Sequence, residues 1–388
     1  MNTIPLWKVK RELARVLKQL FWKWPSLIIP FLFNRLYYDL VLARNIVVAE
    51  GEQLITPKIA IYLIFPVKGV LKSHVRALEY MIENGYAPVV VSNITLQFED
   101  RQLLKKKCWK LIERPNFGYD FGGYRDGFLH IKKYLKDIDR LVLLNDSVWF
   151  PLPGSKNWLQ SVEELAVDYA GAVSNYGIDR HPQHRFQDIN WIYSTSHNNF
   201  HYCSFALAIS PSVFRSKSFE RFWRKFRLTN DKTRTVRRGE IGLSKWVISR
   251  GFTHAQTFDI QNIDRELSDL PEAELREVLL NLIIPEDPAL SAIKSELLAA
   301  STSVDRTTVE KFILTVIARQ GAGYVMSMFA IQRMGFAFLK KSPVWLNRDA
   351  SNITVEIAKQ LKGKFGGEIL SEIQALRAER KIKQGAVG

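Results

Sequence analysis

Short apolar runs alternate with stretches of helical spacing through the first two thirds of the chain, and this alternation restricts it to one class of fold. Lys58 to Phe65 has the texture of a buried strand and is ended by Pro66 and Gly69. Leu71, Val75, Leu78 and Ile82 then recur at helical spacing, and Asn84-Gly85 closes that helix. Ala87 to Val91 reads as a second strand, Asp100 to Lys107 as a short charged helix, and Trp109 to Ile112 as a third strand. A β-α-β-α-β order predicts a parallel sheet. Tyr124, Phe128, Ile131 and Leu135 mark the next helix, Leu141 to Leu144 a fourth strand, and Trp158, Val162 and Leu165 another helix. Strand character returns at Tyr169 to Val173, Phe205 to Ile209 and Phe252 to Phe258, with helices at Phe214 to Phe226 and Glu240 to Ser249. Residues 175–200 form a long polar and aromatic loop, and Thr229 to Arg238 a basic polar linker.

Beyond about Asp259 only helical spacing remains: Leu275, Val278, Leu279 and Leu282; Val309, Phe312, Ile313 and Val316; Ile369, Ile373 and Leu376. The expected division is a basic, aromatic N-terminal arm over 1–50, an α/β domain over 51–260 and a helical region over 261–388.

Composition separates the partners open to such a chain. Of 388 residues, 47% are hydrophobic, enough for a full core. A net charge of +16 suits an anionic partner: a membrane surface, a nucleic acid or a phosphorylated substrate. The cations gather at the ends and in the 229–238 linker, away from the glycine-rich stretch described next, so no nucleic acid is expected. Two cysteines, Cys108 and Cys203, are too few for a disulfide framework and point to a reducing compartment. In the arm, Pro25, Pro30, Asn34, Arg35 and Asp39 interrupt the apolar run that a membrane span needs. Two readings of the arm stand side by side: an amphipathic segment on an anionic membrane, or a helical arm packed on the protein's own core.

Three places carry chemistry. The stretch Asn116 to Asp126 contains Gly118, Gly122 and Gly123, which let backbone amides approach a phosphate at a helix start. Asp120 between them would repel phosphate and suits sugar or ribose hydroxyls, while Arg125 has the fork geometry for a diphosphate. A plain glycine turn with an Asp helix cap is the alternative. Asn145-Asp146-Ser147 follows the fourth strand, where the loops of an open α/β sheet form a ligand crevice. Asp146 can orient a donor directly or hold Mg²⁺ or Mn²⁺ with phosphate and water as further ligands; the alternative is a local turn. Glu240 opens a helix after the basic linker and is a candidate general base, or else an N-terminal charge on the helix dipole. The expectation is that the Asp120 and Asp146 loops face one bound nucleotide-sugar.

The order of these pieces resembles the rhamnan-synthesis protein F family of polysaccharide glycosyltransferases. The resemblance is carried by Asn116-x-Gly118-x-Asp120-Phe121-Gly122, by Leu143-Leu144-Asn145-Asp146-Ser147, and by His201-Tyr202-Cys203-Ser204-Phe205. The Glu240 to Ser244 run and Phe338-Leu339-Lys340-Lys341 are similar to its later landmarks. The resemblance implies a GT-A-like (Rossmann-type) nucleotide-sugar domain and transfer of a sugar, often rhamnose from a dTDP-sugar, to a growing bacterial surface glycan or lipid-linked acceptor. By position it places Asp120, Asn145, Asp146 and Ser147 in the donor site, with His201 and Ser204 on the sugar or acceptor side. Lys340 would help stabilise the departing diphosphate. Two departures stand out: Cys203 replaces the family's Gln, and loop 175–200 is the chain's own. The expected location is cytoplasmic, peripheral at the inner face of the plasma membrane. A catalytically inactive carbohydrate-binding or scaffolding subunit of a glycan-assembly complex is the alternative function.

Overall fold

Valine- and isoleucine-rich runs bury both faces only in the middle of a sheet covered on both sides, and the chain follows that rule. The computed structural model describes residues 33–285, 287–300 and 304–385, with side chains described as far as Glu379. The cationic segment expected at the start of the arm therefore lies outside the described residues.

The strands are β1 (Val47–Glu50), β2 (Lys58–Ile64), β3 (Tyr86–Ser92), β4 (Lys110–Glu113), β5 (Arg140–Asn145), β6 (Val148–Trp149), β7 (Tyr169–Gly171), β8 (Ser174–Asn175), β9 (His201–Tyr202), β10 (Ala206–Ile209), β11 (His254–Gln256) and β12 (Leu339–Lys340). Eight of them form one sheet in the order β1-β4-β3-β2-β5-β10-β7-β11. Between them run α1 (Lys72–Glu83), α2 (Phe98–Lys105), α3 (Tyr119–Ile131), α4 (Trp158–Glu164), α5 (Lys217–Arg224), α6 (Lys232–Arg238) and α7 (Glu240–Ile248). Among the described residues from 263 on, every regular element but β12 is a helix, including α8 (Arg306–Gln320) and α9 (Gly363–Gly385).

The sheet is mixed rather than purely parallel. β4, β3, β2 and β5 are parallel, but β10 runs antiparallel to both β5 and β7, and β1 runs antiparallel to β4. This reversal matters for the site. The start of β10 lies at the edge where β2 and β5 end, so residues just before Ala206 meet the loop after Asn145. The basic linker also departs from expectation. Asp231 accepts from the Arg234 amide and starts helix α6, a capping signal that outweighs the absence of apolar spacing.

Side-chain alternation along β2 sorts the core onto the two sheet faces. Ala60, Tyr62 and Ile64 face one core, which also takes in Leu78 and Met81 of α1 and extends to Phe312 and Ile313 of α8. Ile59, Ile61 and Leu63 pack on the other with Phe128 of α3, Trp223 of α5 and Val247 of α7. The first of these cores runs continuously across residue 260, from the sheet into the C-terminal helices.

Candidate active site

Four separate segments meet at the carboxyl edge of the sheet. Asp120 sits in the first turn of α3, Ser204 just before β10, Glu240 at the start of α7, and Lys340 in β12. Tyr202 donates its backbone N–H to Ser244 Oγ at 3.0 Å, which fixes β9 on α7 and so fixes Ser204 against Glu240. β12 pairs with β6, opposing Lys340 to Val148, and this brings the C-terminal region to the loop after β5.

The Ser204 hydroxyl lies between two carboxylates. Its Oγ is 2.6 Å from Asp120 Oδ2 and also hydrogen-bonds Glu240 Oε1. One hydroxyl carries one proton, so both contacts are satisfied only if one carboxyl group brings a second. Burial and the neighbouring Glu240 push the Asp120 carboxyl up to about 6, so Asp120 holds a proton more tightly than an ordinary carboxyl group. On its other side Glu240 Oε2 faces His201 Nε2 at 3.3 Å. His201 Nδ1 is 2.7 Å from the Asn199 carbonyl, which can only accept, so the proton on Nδ1 is fixed. Hydrogen bonds therefore link Asp120, Ser204 and Glu240, with the His201 ring beside the far oxygen of Glu240.

Lys340 closes the cluster. Its Nζ is 3.5 Å from Ser147 Oγ and 4.1 Å from the centre of the Phe205 ring. Burial lowers its pKa against the opposing pull of Cys203, Glu240 and Asp120. Ser147 Oγ donates to Asn145 Oδ1 at 2.6 Å, so Asn145, Ser147 and Lys340 form one polar edge of the site. Tyr124 donates to the Ser204 carbonyl at 2.8 Å from beneath.

Other expected site residues stand elsewhere. The Asp146 carboxylate is engaged within the fold: Oδ2 accepts from the Phe65 amide at 2.7 Å and lies 3.3 Å from His74 Nε2. Burial opposes its ionisation, but His74, Lys341 and the Phe65 amide outweigh burial and hold its pKa below the ordinary range. The two loops thus converge through Ser147 and Lys340, not through their aspartates. Nor do the described residues bring three His, Cys, Asp or Glu side chains together as a metal cage. Oδ2 of Asp146 is engaged within the fold, so a cation at this loop would depend on phosphate and water for most of its ligands.

Arg125 is buried, donating to the Trp223 carbonyl at 3.1 Å and to Asp39 Oδ1 at 2.7 Å, so its fork is committed inside the fold rather than to a diphosphate. The glycines are needed for packing. A Cβ on Gly122 would lie 2.2 Å from the Phe117 carbonyl oxygen, and one on Gly123 would lie 2.3 Å from Leu63. Gly118 has φ +84°, and its amide donates to Asn230 Oδ1 at 2.8 Å. No phosphate cradle forms there; the first turn of α3 is filled by the Asp120 carboxylate, which accepts from the Phe121 amide at 3.0 Å.

Sequence reading missed a second, partly buried network around Glu372. Glu372 of α9 accepts from the Ser73 amide, the Ser73 hydroxyl and Trp149 Nε1, at 3.0, 2.8 and 2.8 Å. Lys341 is buried nearby, its pKa lowered by burial against the pull of Asp146 and Glu372. Lys341 was visible as half of the Lys340-Lys341 pair; nothing in the local sequence of α9 marks Glu372.

The rhamnan synthesis protein F family model matches residues 88–286, a span that holds Asp120, Ser204 and Glu240. The chain belongs to that family. The uncharacterized protein y4gN of Sinorhizobium fredii is 30% identical over 246 residues, covering 63% of this chain and 60% of that protein. Virulence protein VirA of Vibrio anguillarum is 38% identical over 97 residues, 24% of this chain and 30% of that protein. The chain thus spans less than two thirds of these curated relatives' length. Among solved structures, the mannosyltransferase PcManGT of Pyrobaculum calidifontis, in complex with GDP-Man and Mn²⁺, aligns over 94% of this chain and 92% of its own at 9% identity and a TM-score of 0.29. A likeness of that degree bears on neither the donor nor the site residues.

Proposed function

We propose that this member of the rhamnan synthesis protein F family transfers a hexosyl group from a nucleotide-sugar, with a dTDP-sugar and rhamnose as the favoured donor and sugar, to a polysaccharide or lipid-linked acceptor of a bacterial cell envelope. The supporting observation is the meeting of Asp120, Ser204, Glu240 and Lys340, drawn from four segments, at the carboxyl edge of the sheet.

The chemistry follows from what each group can do there. Glu240 takes the proton of the acceptor hydroxyl as that oxygen attacks the anomeric carbon. Ser204 holds one of its oxygens, and the His201 ring lies 3.3 Å from the other. Asp120 accepts a hydrogen bond from a donor hydroxyl. The Lys340 ammonium and the Ser147 hydroxyl meet the negative charge that grows on the leaving diphosphate. Asp146 fixes the Phe65 segment through its amide, beside the loop that carries Ser147.

A thermal-shift screen of nucleotide-sugars, with and without Mn²⁺, tests the reading. A ligand that binds the folded state raises the melting temperature by mass action. The expected result is a response to a dTDP-sugar that disappears in Asp120→Ala. A response that survives Asp120→Ala would move the donor elsewhere, and one that requires Mn²⁺ would return a metal to the site.

A further inference from the structure

One helix in the described chain wears its apolar stripe on the outside. Residues 33–40 are helical, and Phe33, Leu36, Tyr37 and Leu40 recur at the spacing of a single helix face. A surface helix ordinarily turns such a stripe to the core. Here these side chains are 52, 41, 51 and 59% exposed, and Val41 continues them at 49%. The opposite side is the one that docks. Tyr38 is fully buried and hydrogen-bonds Asp126, and Asp39 accepts from Arg125, so the polar side is fastened to α3.

Beside that stripe lies a cationic groove of about 480 Å³. It is lined by Arg35 of the same helix and by Lys217, Glu220, Arg221, Arg224 and Lys225 on and just after α5, five cations to one carboxylate. Lys217, Arg221 and Arg224 share one face of α5, while Phe219 and Trp223 on the other face are fully buried against α3. Arg35 joins stripe and groove into one surface.

We propose that this surface docks on an anionic lipid bilayer, with the stripe of helix 33–40 among the headgroups and the groove of α5 on their phosphates. Three features favour that occupant. An exposed apolar stripe flanked by Arg and Lys is the pattern of helices that lie in the membrane interface. A second copy of the chain would bring five like charges against five. A nucleic acid would use the cations and leave the stripe in water. The surface rests on α3, whose first turn carries Asp120, so docking holds the helix that carries the site against the elements at the bilayer. The inference shares with the functional reading only the membrane-bound acceptor, and its test reads no sugar, so the two fail separately.

The test is co-sedimentation of the full-length protein with phosphatidylcholine vesicles, with and without phosphatidylglycerol. Binding is expected only to the anionic vesicles and is expected to weaken as salt rises. The double substitution Arg221→Glu and Arg224→Glu should lower it on the order of tenfold or more. Leu36→Ser with Leu40→Ser should lower it by a similar factor. Arg221→Lys with Arg224→Lys should retain it, and melting curves confirm that each variant folds. Wild-type protein that ignores anionic vesicles overturns the proposal. So does vesicle binding that neither double variant changes, which would assign attachment to residues 1–32. Charge-reversal loss of DNA binding without vesicle binding would assign the groove to a nucleic acid.

Discussion

At the scale of single residues, the Ser204 hydroxyl between two carboxyl groups decides the chemistry. Asp120 is raised to about 6 by burial and by Glu240, above the ~4 of an unfolded chain. A raised carboxyl binds its proton more tightly in the folded state, so its contribution to stability is lost as pH rises from about 4 to about 6. Asp120→Asn should therefore be more stable than the wild type at pH 7, on the order of 1 kcal/mol, with the advantage vanishing near pH 4 in urea titrations. Glu240→Gln should keep the fold and lower transfer by roughly 10²–10⁴ while leaving donor affinity nearly unchanged. Asp120, Ser204, Glu240 and Lys340 were all legible as candidates in the sequence. Their mutual contact was not, because it depends on how far apart segments pack. Asp146 shows the limit from the other side: its position after a strand was right, but its direction was set by the Phe65 amide and His74, which no local pattern reveals.

Among the elements, α3 carries the clearest correction. Its glycines look in sequence like a phosphate loop, and in the fold they let the helix lie against β2 and the Phe117 carbonyl. The two roles part under substitution. Gly122→Ala should cost about 1–3 kcal/mol in denaturant unfolding, because the carbonyl oxygen cannot move aside. A variant that folds with wild-type stability but loses donor affinity would restore the phosphate role. The strands of the α/β part were legible because their apolar runs are long and bounded by turn residues. The reversal of β10 was not, since alternation of strands and helices says nothing of the direction in which a late strand pairs. Short β12 was equally hidden, two residues inside a helical region.

For the molecule as a whole, the core that joins sheet and C-terminal helices matters most. It implies one cooperative unfolding transition for the α/β part and the helices after residue 260. Two separate transitions by calorimetry would show that a boundary near 260 divides independent units. Glu372 ties α9 to α1 and Trp149 through three hydrogen bonds, so Glu372→Ala should destabilise by about 1–3 kcal/mol by leaving those donors unpaired. No helix among the described residues is long and apolar enough to cross a membrane. The central claim is that the Asp120–Ser204–Glu240–Lys340 edge is where sugar leaves its nucleotide. The most direct measurement is release of nucleotide diphosphate from a panel of nucleotide-sugars by the wild type and by Glu240→Gln. Release from at least one donor by the wild type, nearly abolished in the variant, is the expected result; equal release by both, or release from no donor in the presence of an acceptor extract, would contradict it and favour an inactive scaffolding role.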